Sequence, residues 1–475
     1  MAGPVRNAID GVQLALANFR ESLAGVPTLR LGVTGLSRAG KTVFIASVVQ
    51  ALTEGGALPA LRAHAGGRIA KVRIAPQPDA DVPRFQVEDH IDAIVRERRW
   101  PSSTRAISQV RILIEYEDRR TRKRRLALDI IDYPGEWLLD LPLLNKDYAA
   151  FSREAVELAA LSLRAPLATE WLRIAGEVNP SDPATELQIG ALHRAYADYL
   201  IACRNDERAL SSLPPGRFLM PGDLEGSPAM TFAPLPDLPE RAPRGSLAAT
   251  MRERYEAYRD FVVRPFFRDH FARLDRQVVL VDVLQAINAG PESVADLRRA
   301  LEGILSGFRT GRINPLARLF NRRIDRVVLA ATKADHLHRD DHDRLEAIAE
   351  VLTAAAFAGD ETGEVNLNRS ALAAVRATRE ARSGDGPDAL PLIVGTPIEG
   401  ERIDGRLFDG GTETAIFPGD LPRDPRDVLR DDLAGSIRFV RFRPPPLQRG
   451  DDGVLRIPHI RLDRVLEHLI GDRLE

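Results

Sequence analysis

Residues 35–42 read GLSRAGKT, a spacing of glycine, lysine and threonine that can hold a chain of phosphates. In a GxxxxGK[ST] loop between a strand and a helix, glycine lets backbone N–H groups turn inward around a β-phosphate. The helix N-terminus adds its positive dipole end. Ser37, Arg38, Ala39, Gly40 and Val43 would surround the phosphates, with Lys41 bridging the β and γ groups and the Thr42 hydroxyl on Mg²⁺. The plainer reading is a loop of small residues before a helix. What argues against it is the company the loop keeps.

The stretch LALDIIDYPGE carries Asp132 at the end of an expected strand and Gly135 three residues on, the DxxG spacing. Asp132 would hold Mg²⁺ through water, and the Gly135 N–H would sense a γ-phosphate. Without the phosphate loop, Asp-Tyr-Pro-Gly is ordinary turn chemistry. Asp129 falls on the opposite face of the strand and reads as structural. Glu136 stands where a water-orienting residue belongs, so it reads either as a catalytic carboxylate or as part of a mobile surface. Upstream, Thr104 sits where a switch threonine would reach Mg²⁺ and the γ-phosphate, with Ser102, Ser103 and Ser108 as rivals. Arg105 and Arg38 are candidates for stabilising transition-state charge, against the alternative that both are surface arginines.

A third motif concerns the base. VVLAATKAD ends an expected strand in Thr332-Lys333-Ala334-Asp335, one substitution from NKxD. A carboxylate at Asp335 can accept from guanine N1–H and N2–H₂, which adenine cannot offer, while the Lys333 stem lies over the purine. Threonine in place of asparagine removes an amide that would tie this loop to the phosphate loop, which predicts weaker guanine selectivity. The alternative places Asp335 at a helix cap. Ala377, with Thr378 beside it, follows in AVRATRE (374–380), read as the end of another strand. There a backbone N–H would meet guanine O6.

These residues need elements to position them. TLRLGVTG reads as a buried strand and KTVFIASVVQALTEG as a helix. ISQVRILIEYE (107–117) and RRLALDIIDYPG (124–135) are strands joined by a connection too short for a crossover helix, which predicts an antiparallel hairpin. Residues 4–24 carry an amphipathic helical pattern. Helices are expected at 144–163, 166–177, 183–204 and 247–273, interrupted by a Pro- and Gly-rich loop or lid at 213–245. Strands at 277–284 and 325–332 follow, with helical segments at 291–308, 313–320 and 337–357. Strand-like 390–398 and 435–444 precede a terminal amphipathic helix at 458–473. The alternation predicts an α/β fold, a mostly parallel sheet with one antiparallel hairpin. The expected units are an N-terminal helix (1–28), a nucleotide core in two parts (29–143 and 276–383), a helical insertion (144–275) and a small C-terminal α/β extension (384–475).

Composition narrows the function classes. A formal net charge of −2 gives no global attraction to nucleic acid or anionic lipid. The basic run RRTRKRR (119–125) falls at the expected hairpin tip and reads as a solvated turn. The single cysteine, Cys203, excludes an internal disulfide framework and suits a reducing compartment. No signal peptide or membrane-spanning run is read, so the expected location is cytoplasmic, with any contact at the inner membrane made through a protein partner. Of 66 basic residues only five are lysine, and Lys41 and Lys333 both fall in nucleotide motifs. The nine histidines show no metal-ligand spacing.

Four stretches together, GLSRAGKTVFI, DYPGEWLLDLPLL, VVLVDVLQAINAG and ATKADHL, resemble the YcjX-like family of bacterial P-loop stress proteins. DYPGEWLLDLPLL is the most distinctive, and RVLEHLIGDRL near the C-terminus is also similar. The resemblance runs from about residue 10 to the end. It implies a Ras-like GTPase core with a helical insertion, guanine nucleotide (GTP or GDP) with Mg²⁺, and an association with cell-envelope stress. Three functions compete on these residues: a slow GTPase switch, a nucleotide-held interaction module with negligible hydrolysis, and an ATPase that does not read guanine. Trp137 and Leu138 read either as packing residues or as a nucleotide-gated surface for a partner.

Overall fold

The computed structural model describes residues 25–475 apart from 37, 80, 103–105, 209, 310–323, 358–365, 385, 387–388, 404 and 431–432. The helical readings at 4–24 and 313–320, and the candidates Ser37, Thr104 and Arg105, lie outside the described residues.

A seven-stranded sheet runs in the order β2-β3-β4-β1-β5-β6-β7. Its strands are β1 (Thr28–Gly35), β2 (Ile69–Ala75), β3 (Ser108–Glu117), β4 (Lys123–Asp132), β5 (Arg276–Val281), β6 (Arg326–Thr332) and β7 (Asn366–Leu372). From β4 to β7 every pairing is parallel, and β2, β3 and β4 pair antiparallel. The short connection between β3 and β4 is therefore the hairpin that its length demanded.

Period-two alternation sorts the strands' side chains between two cores. In β5, Val278 and Leu280 enter one core, Val279 and Val281 the other. In β6, Val328 and Ala330 oppose Val327, Leu329 and Ala331 in the same way. One face is covered by α1 (Lys41–Thr53), α2 (Val87–Val95) and the C-terminal helix, which enters that core through Leu462, Val465, Leu466 and Leu469. The central strands are apolar on both sides because both sides are covered.

Between β4 and β5 the chain builds the helical layer on the other face. It contains α3 (Tyr148–Ala159), α4 (Ala165–Gly176), α5 (Glu186–Asn205), α6 (Leu247–Tyr258), a π-helical turn (Arg259–Val263) and α7 (Arg264–Asp269). The stretch after Asp132 is a 3₁₀ helix, Gly135–Asn145, where the sequence suggested only a turn leading to an α-helix. The Pro-rich 213–245 interval is mainly irregular, as its prolines require, but it is no exposed lid. Leu213, Phe218, Phe232, Ala233 and Leu235 are buried in the insertion's core.

After β5 come α8 (Val283–Asn288), α9 (Pro291–Arg309) and α10 (His342–Phe357), the last two on the insertion's side. A small antiparallel sheet then forms from β8 (Arg379–Arg382), β9 (Pro391–Gly395) and β12 (Thr414–Ile416), beside the hairpin of β10 (Arg402–Ile403) and β11 (Arg406–Leu407). α11 (Leu462–Ile470) closes the chain. Two sequence expectations change here. β7 ends at Leu372, so the AVRATRE stretch is a loop leading into β8 and does not end a strand. The 435–444 stretch is not a strand: apart from one bridge between Pro397 and Phe442, closed by the Arg443 N–H on Thr396 O, its backbone donates to scattered acceptors such as Pro418 O and the Glu401 carboxylate.

Candidate nucleotide site

The phosphate loop leaves β1 at Gly35 and enters α1 at Lys41. The chain turns through Gly40 at φ 86°, a left-handed conformation that glycine adopts without penalty and that here serves as the helix N-cap. Arg38 is also left-handed, at φ 62°, and exposed, while Ala39 is buried. Lys41 and Thr42 are both buried, and Lys41 Nζ donates to the Gly35 carbonyl at 2.9 Å. Val43 is half-buried on the first turn of α1.

Asp132 stands at the end of β4, in register with Val33 of the adjacent β1, so the sheet delivers it beside the phosphate loop. Gly135 then crosses directly over that loop. A Cβ at this position would lie 1.6 Å from the Gly35 carbonyl oxygen and 2.9 Å from Lys41 Nζ, so only glycine fits. The structure thus brings Gly35, Lys41 and Gly135 into one contact, with Thr42 and Asp132 buried close by in sequence. Asp129 is a different case: Arg111 binds it through two bonds of 2.6 and 2.8 Å within the β3–β4 pair, the structural role expected of it.

The residues after Gly135 are fastened to the insertion. A Cβ on Gly216 would fall 1.7 Å from the Glu136 carbonyl oxygen, so that glycine too is required by close approach. The buried Asp140 carboxylate accepts from the Gly216 N–H at 2.7 Å, the Arg217 N–H at 3.2 Å and the Tyr258 hydroxyl at 2.7 Å. The Arg217 guanidinium lies 3.2 Å from the Trp137 ring centroid, and the Trp137 indole N–H donates to Met220 O at 3.0 Å. Trp137 and Leu138 are therefore packing residues, both buried. Burial pushes Asp140 up to about 6 although three donors and Arg217 favour its charged form.

A cavity lies against this junction. Leu36 and Arg38 of the phosphate loop line it together with Glu136, Asp282 and Gln285, and Arg204 and Ser211 come from the insertion. Glu136, a candidate from the sequence, thus meets the insertion here.

At the base end, Thr332 donates through Oγ1 to Val281 O at 3.2 Å, which ties the motif to the end of β5. Lys333 takes a left-handed conformation (φ 61°) and its ammonium pairs with Asp282, the residue that also caps α8. Asp335 is buried and Oδ2 accepts from the Ala377 N–H at 2.8 Å, while the Thr378 hydroxyl donates to the Asp335 carbonyl. The fold thus joins Thr332, Lys333, Asp335, Ala377 and Thr378 across the β6 and β7 ends. Burial raises Asp335 to about 6, opposed by the Ala377 N–H and Lys333.

Sequence reasoning missed the residues that back both motifs: Asp140, Gly216, Arg217 and Arg204 beside the phosphate loop and the segment after Gly135, Phe439 and Phe442 beside Lys333 and His336. Asp140 lies inside the distinctive DYPGEWLLDLPLL stretch, which was its only signal. For the aromatics there was none.

Mg²⁺ needs oxygen donors and usually keeps water and phosphate ligands beside one or two from the protein. The hydroxyl of Thr42 and the carboxylate of Asp132 are donors of that kind, and the glycine-only contact at Gly135 leaves the loop's backbone close by. Among the described residues no group of three or more His, Cys, Asp or Glu that could hold a metal ion is found. Nor is any helix among them long and apolar enough to cross a membrane.

The comparisons follow the same residues. The model of the YcjX-like family matches residues 29–474. The protein called Ras-like GTPase YcjX in Escherichia coli K12 is 36% identical over 464 residues, 94% of this chain and 96% of that one. Its namesake in Shewanella oneidensis MR-1 is 33% identical over 476 residues, 94% and 95% of the two chains.

Proposed function

The chain belongs to the YcjX-like family, and from that premise we propose that it binds guanine nucleotide with Mg²⁺ and works as a slow GTP-hydrolysing switch. The observation that carries this reading is the double attachment of residues 135–140. Gly135 touches the phosphate loop at Gly35 and Lys41, and five residues on Asp140 grips the insertion. A group that moved Gly135 would therefore pull on the insertion.

In this reading the N–H groups of residues 37–40 surround the β-phosphate, and Lys41 neutralises charge between the β and γ groups. Thr42 would hold Mg²⁺ directly and Asp132 through a water, with Thr104 as a further candidate ligand. Bound there, the ion would neutralise charge developing on the phosphates. The Gly135 N–H reports on the γ-phosphate, and Glu136 orients the attacking water. Arg38 and Arg105 offer positive charge to the transition state. Asp335 reads the guanine edge and Lys333 covers the ring. The Ala377 N–H, expected to meet guanine O6, is given to Asp335 in this structure, so Ala377 and Thr378 serve the base site by holding Asp335 in place. The link to cell-envelope stress, and a protein partner at the inner membrane, rest on the family resemblance.

A second reading is a nucleotide-held interaction module with negligible turnover. It is favoured by the Gly216 contact, which pins the backbone of Glu136 in place. Binding of GDP, GTP and ADP at fixed Mg²⁺ tests the first reading, which expects GDP well above ADP. Equal affinity would remove the base-reading role of Asp335. Turnover separates the two readings. Loss of about tenfold or more in kcat on Glu136→Ala fits a positioned water, whereas a low rate unchanged by the substitution favours the module.

A further inference from the structure

Phe439 stands beside the lysine that the proposed function lays over the purine. Its half-buried ring lies 5.2 Å from Lys333 Nζ and 5.1 Å, centroid to centroid, from the buried His336 ring. It belongs to the irregular 435–444 stretch of the extension, about a hundred residues beyond the motif it touches.

The extension is seated on the base loop without slack. Phe442 meets His336 edge-on at 5.3 Å and 86° and shares a small apolar core with Ala377. Gly395 of β9 fits between them: a Cβ there would sit 2.8 Å from the Phe442 ring and 3.1 Å from the Ala377 carbonyl oxygen. The same stretch also holds the chain that leads to Thr104. The Trp100 indole donates to Phe442 O at 2.6 Å, and Arg98 Nε donates to Pro444 O at 3.0 Å. Residues 439–444 therefore bridge Lys333 and His336 to Arg98 and Trp100.

We propose that the C-terminal extension completes the base end of the nucleotide site, with Phe439 supplying an aromatic face for the purine beside Lys333. The inference rests on the nucleotide reading above and adds a residue that no nucleotide motif contains. An aromatic face stacks on any purine, because every base has a π-face, so Phe439 contributes affinity for the base while Asp335 chooses which base. His336 supports the arrangement: burial, with Lys333 adding to it, lowers its pKa to about 3, so the ring stays neutral between two aromatics. The Lys333 charge is already met by Asp282, so the rings beside it add apolar, uncharged surface that suits a heterocycle and gives a phosphate chain no further cation.

The test uses the full chain and calorimetric titration with GDP, ADP and inorganic pyrophosphate at fixed Mg²⁺. Phe439→Ala and Phe439→Leu are expected to weaken GDP about tenfold or more, the range that base–aromatic stacking gives on truncation. ADP should weaken by a similar factor, leaving the GDP/ADP ratio unchanged. Pyrophosphate should be unaffected within about twofold, and Phe439→Tyr should restore GDP. Leucine keeps the bulk without the π-face, so wild-type GDP affinity in Phe439→Leu overturns the proposal. Equal weakening of GDP and pyrophosphate in both truncations overturns it too, since it would mark general damage to the site. If the wild type binds pyrophosphate but neither nucleotide, the nucleotide reading itself falls, and this inference with it.

Discussion

The two ends of the candidate site are built in opposite ways. The phosphate end comes from contiguous stretches, 35–42 and 132–136, whose geometry is backbone geometry: a left-handed Gly40 and a Gly135 that has no room for a Cβ. The base end is assembled from side chains and loops of separate regions, Lys333 and Asp335 after β6, Ala377 after β7 and Phe439 far beyond. Each motif is backed by an appended region, the insertion against the phosphate loop's neighbour Gly135–Asp140 and the extension against Lys333 and His336. Each also holds a buried carboxylate pushed up to about 6, Asp140 and Asp335. The two carboxylates differ in what their charge faces. Asp140 takes three donors of the protein itself, whereas Asp335 takes the Ala377 N–H on one oxygen and is the residue proposed to meet the nucleotide.

The sharpest way to break this contrast is Lys41→Ala. Lys41 reaches into the contact between Gly35 and Gly135, and no backbone group can replace its charge. Affinity for GTP should fall by more than about a hundredfold, with thermal unfolding close to wild type. Retained GTP binding by calorimetry would mean that the loop's backbone alone holds the phosphates.

Asp335→Asn probes the other end through pH. The Asp335 carboxyl must be ionised to accept from two guanine donors, and with its pKa at about 6 it binds a proton below that pH. GDP affinity should therefore rise with pH up to about 6 and level off above it, changing about tenfold per unit on the acid side. The phosphates of GDP titrate nearby, so the measured quantity is the difference in slope between wild type and Asp335→Asn. Identical slopes would detach Asp335 from the base.

How much of this was legible in the sequence follows the same division. The strand-loop-helix around 35–42, the hairpin and the parallel strands at β5 and β6 are local patterns, and periodicity exposes local patterns. β2 went unread although Val72 and Ile74 alternate with Lys71 and Arg73: the run is short, and as an edge strand none of its side chains is fully buried. The 435–444 stretch alternates like a strand, yet its backbone groups find scattered acceptors and Phe442 is buried by tertiary contact alone. The buried residues of 213–245 follow no period, since prolines set that path and the neighbouring helices decide which side chains are covered. The proposed base wall at Phe439 depends on a pairing that only the folded chain creates.

Asp140→Asn tests whether the phosphate end is braced as described, and its effect should be the smallest of these. A carboxyl whose folded pKa is about 6, against an ordinary value near 4, binds its proton more tightly in the folded state. Folding stability contributed by this group is therefore fully present below about pH 4, declines as pH rises and levels off above about pH 6. The decline amounts to at most about 3 kcal/mol, since each tenfold gain in proton affinity is worth about 1.4 kcal/mol. Asparagine keeps the shape and one acceptor but carries no charge. Its unfolding free energy should lose this slope, at a cost of about 1 kcal/mol for a weakened bond to Gly216, Arg217 or Tyr258. The sign is opposite to that at Asp335, where ionisation strengthens nucleotide binding. Chemical denaturation of both proteins at pH 4.5 and 7 measures the difference. A wild-type slope that persists in Asp140→Asn would place the titrating group elsewhere and leave Asp140 an acceptor for Gly216, Arg217 and Tyr258 with no part in the pH dependence.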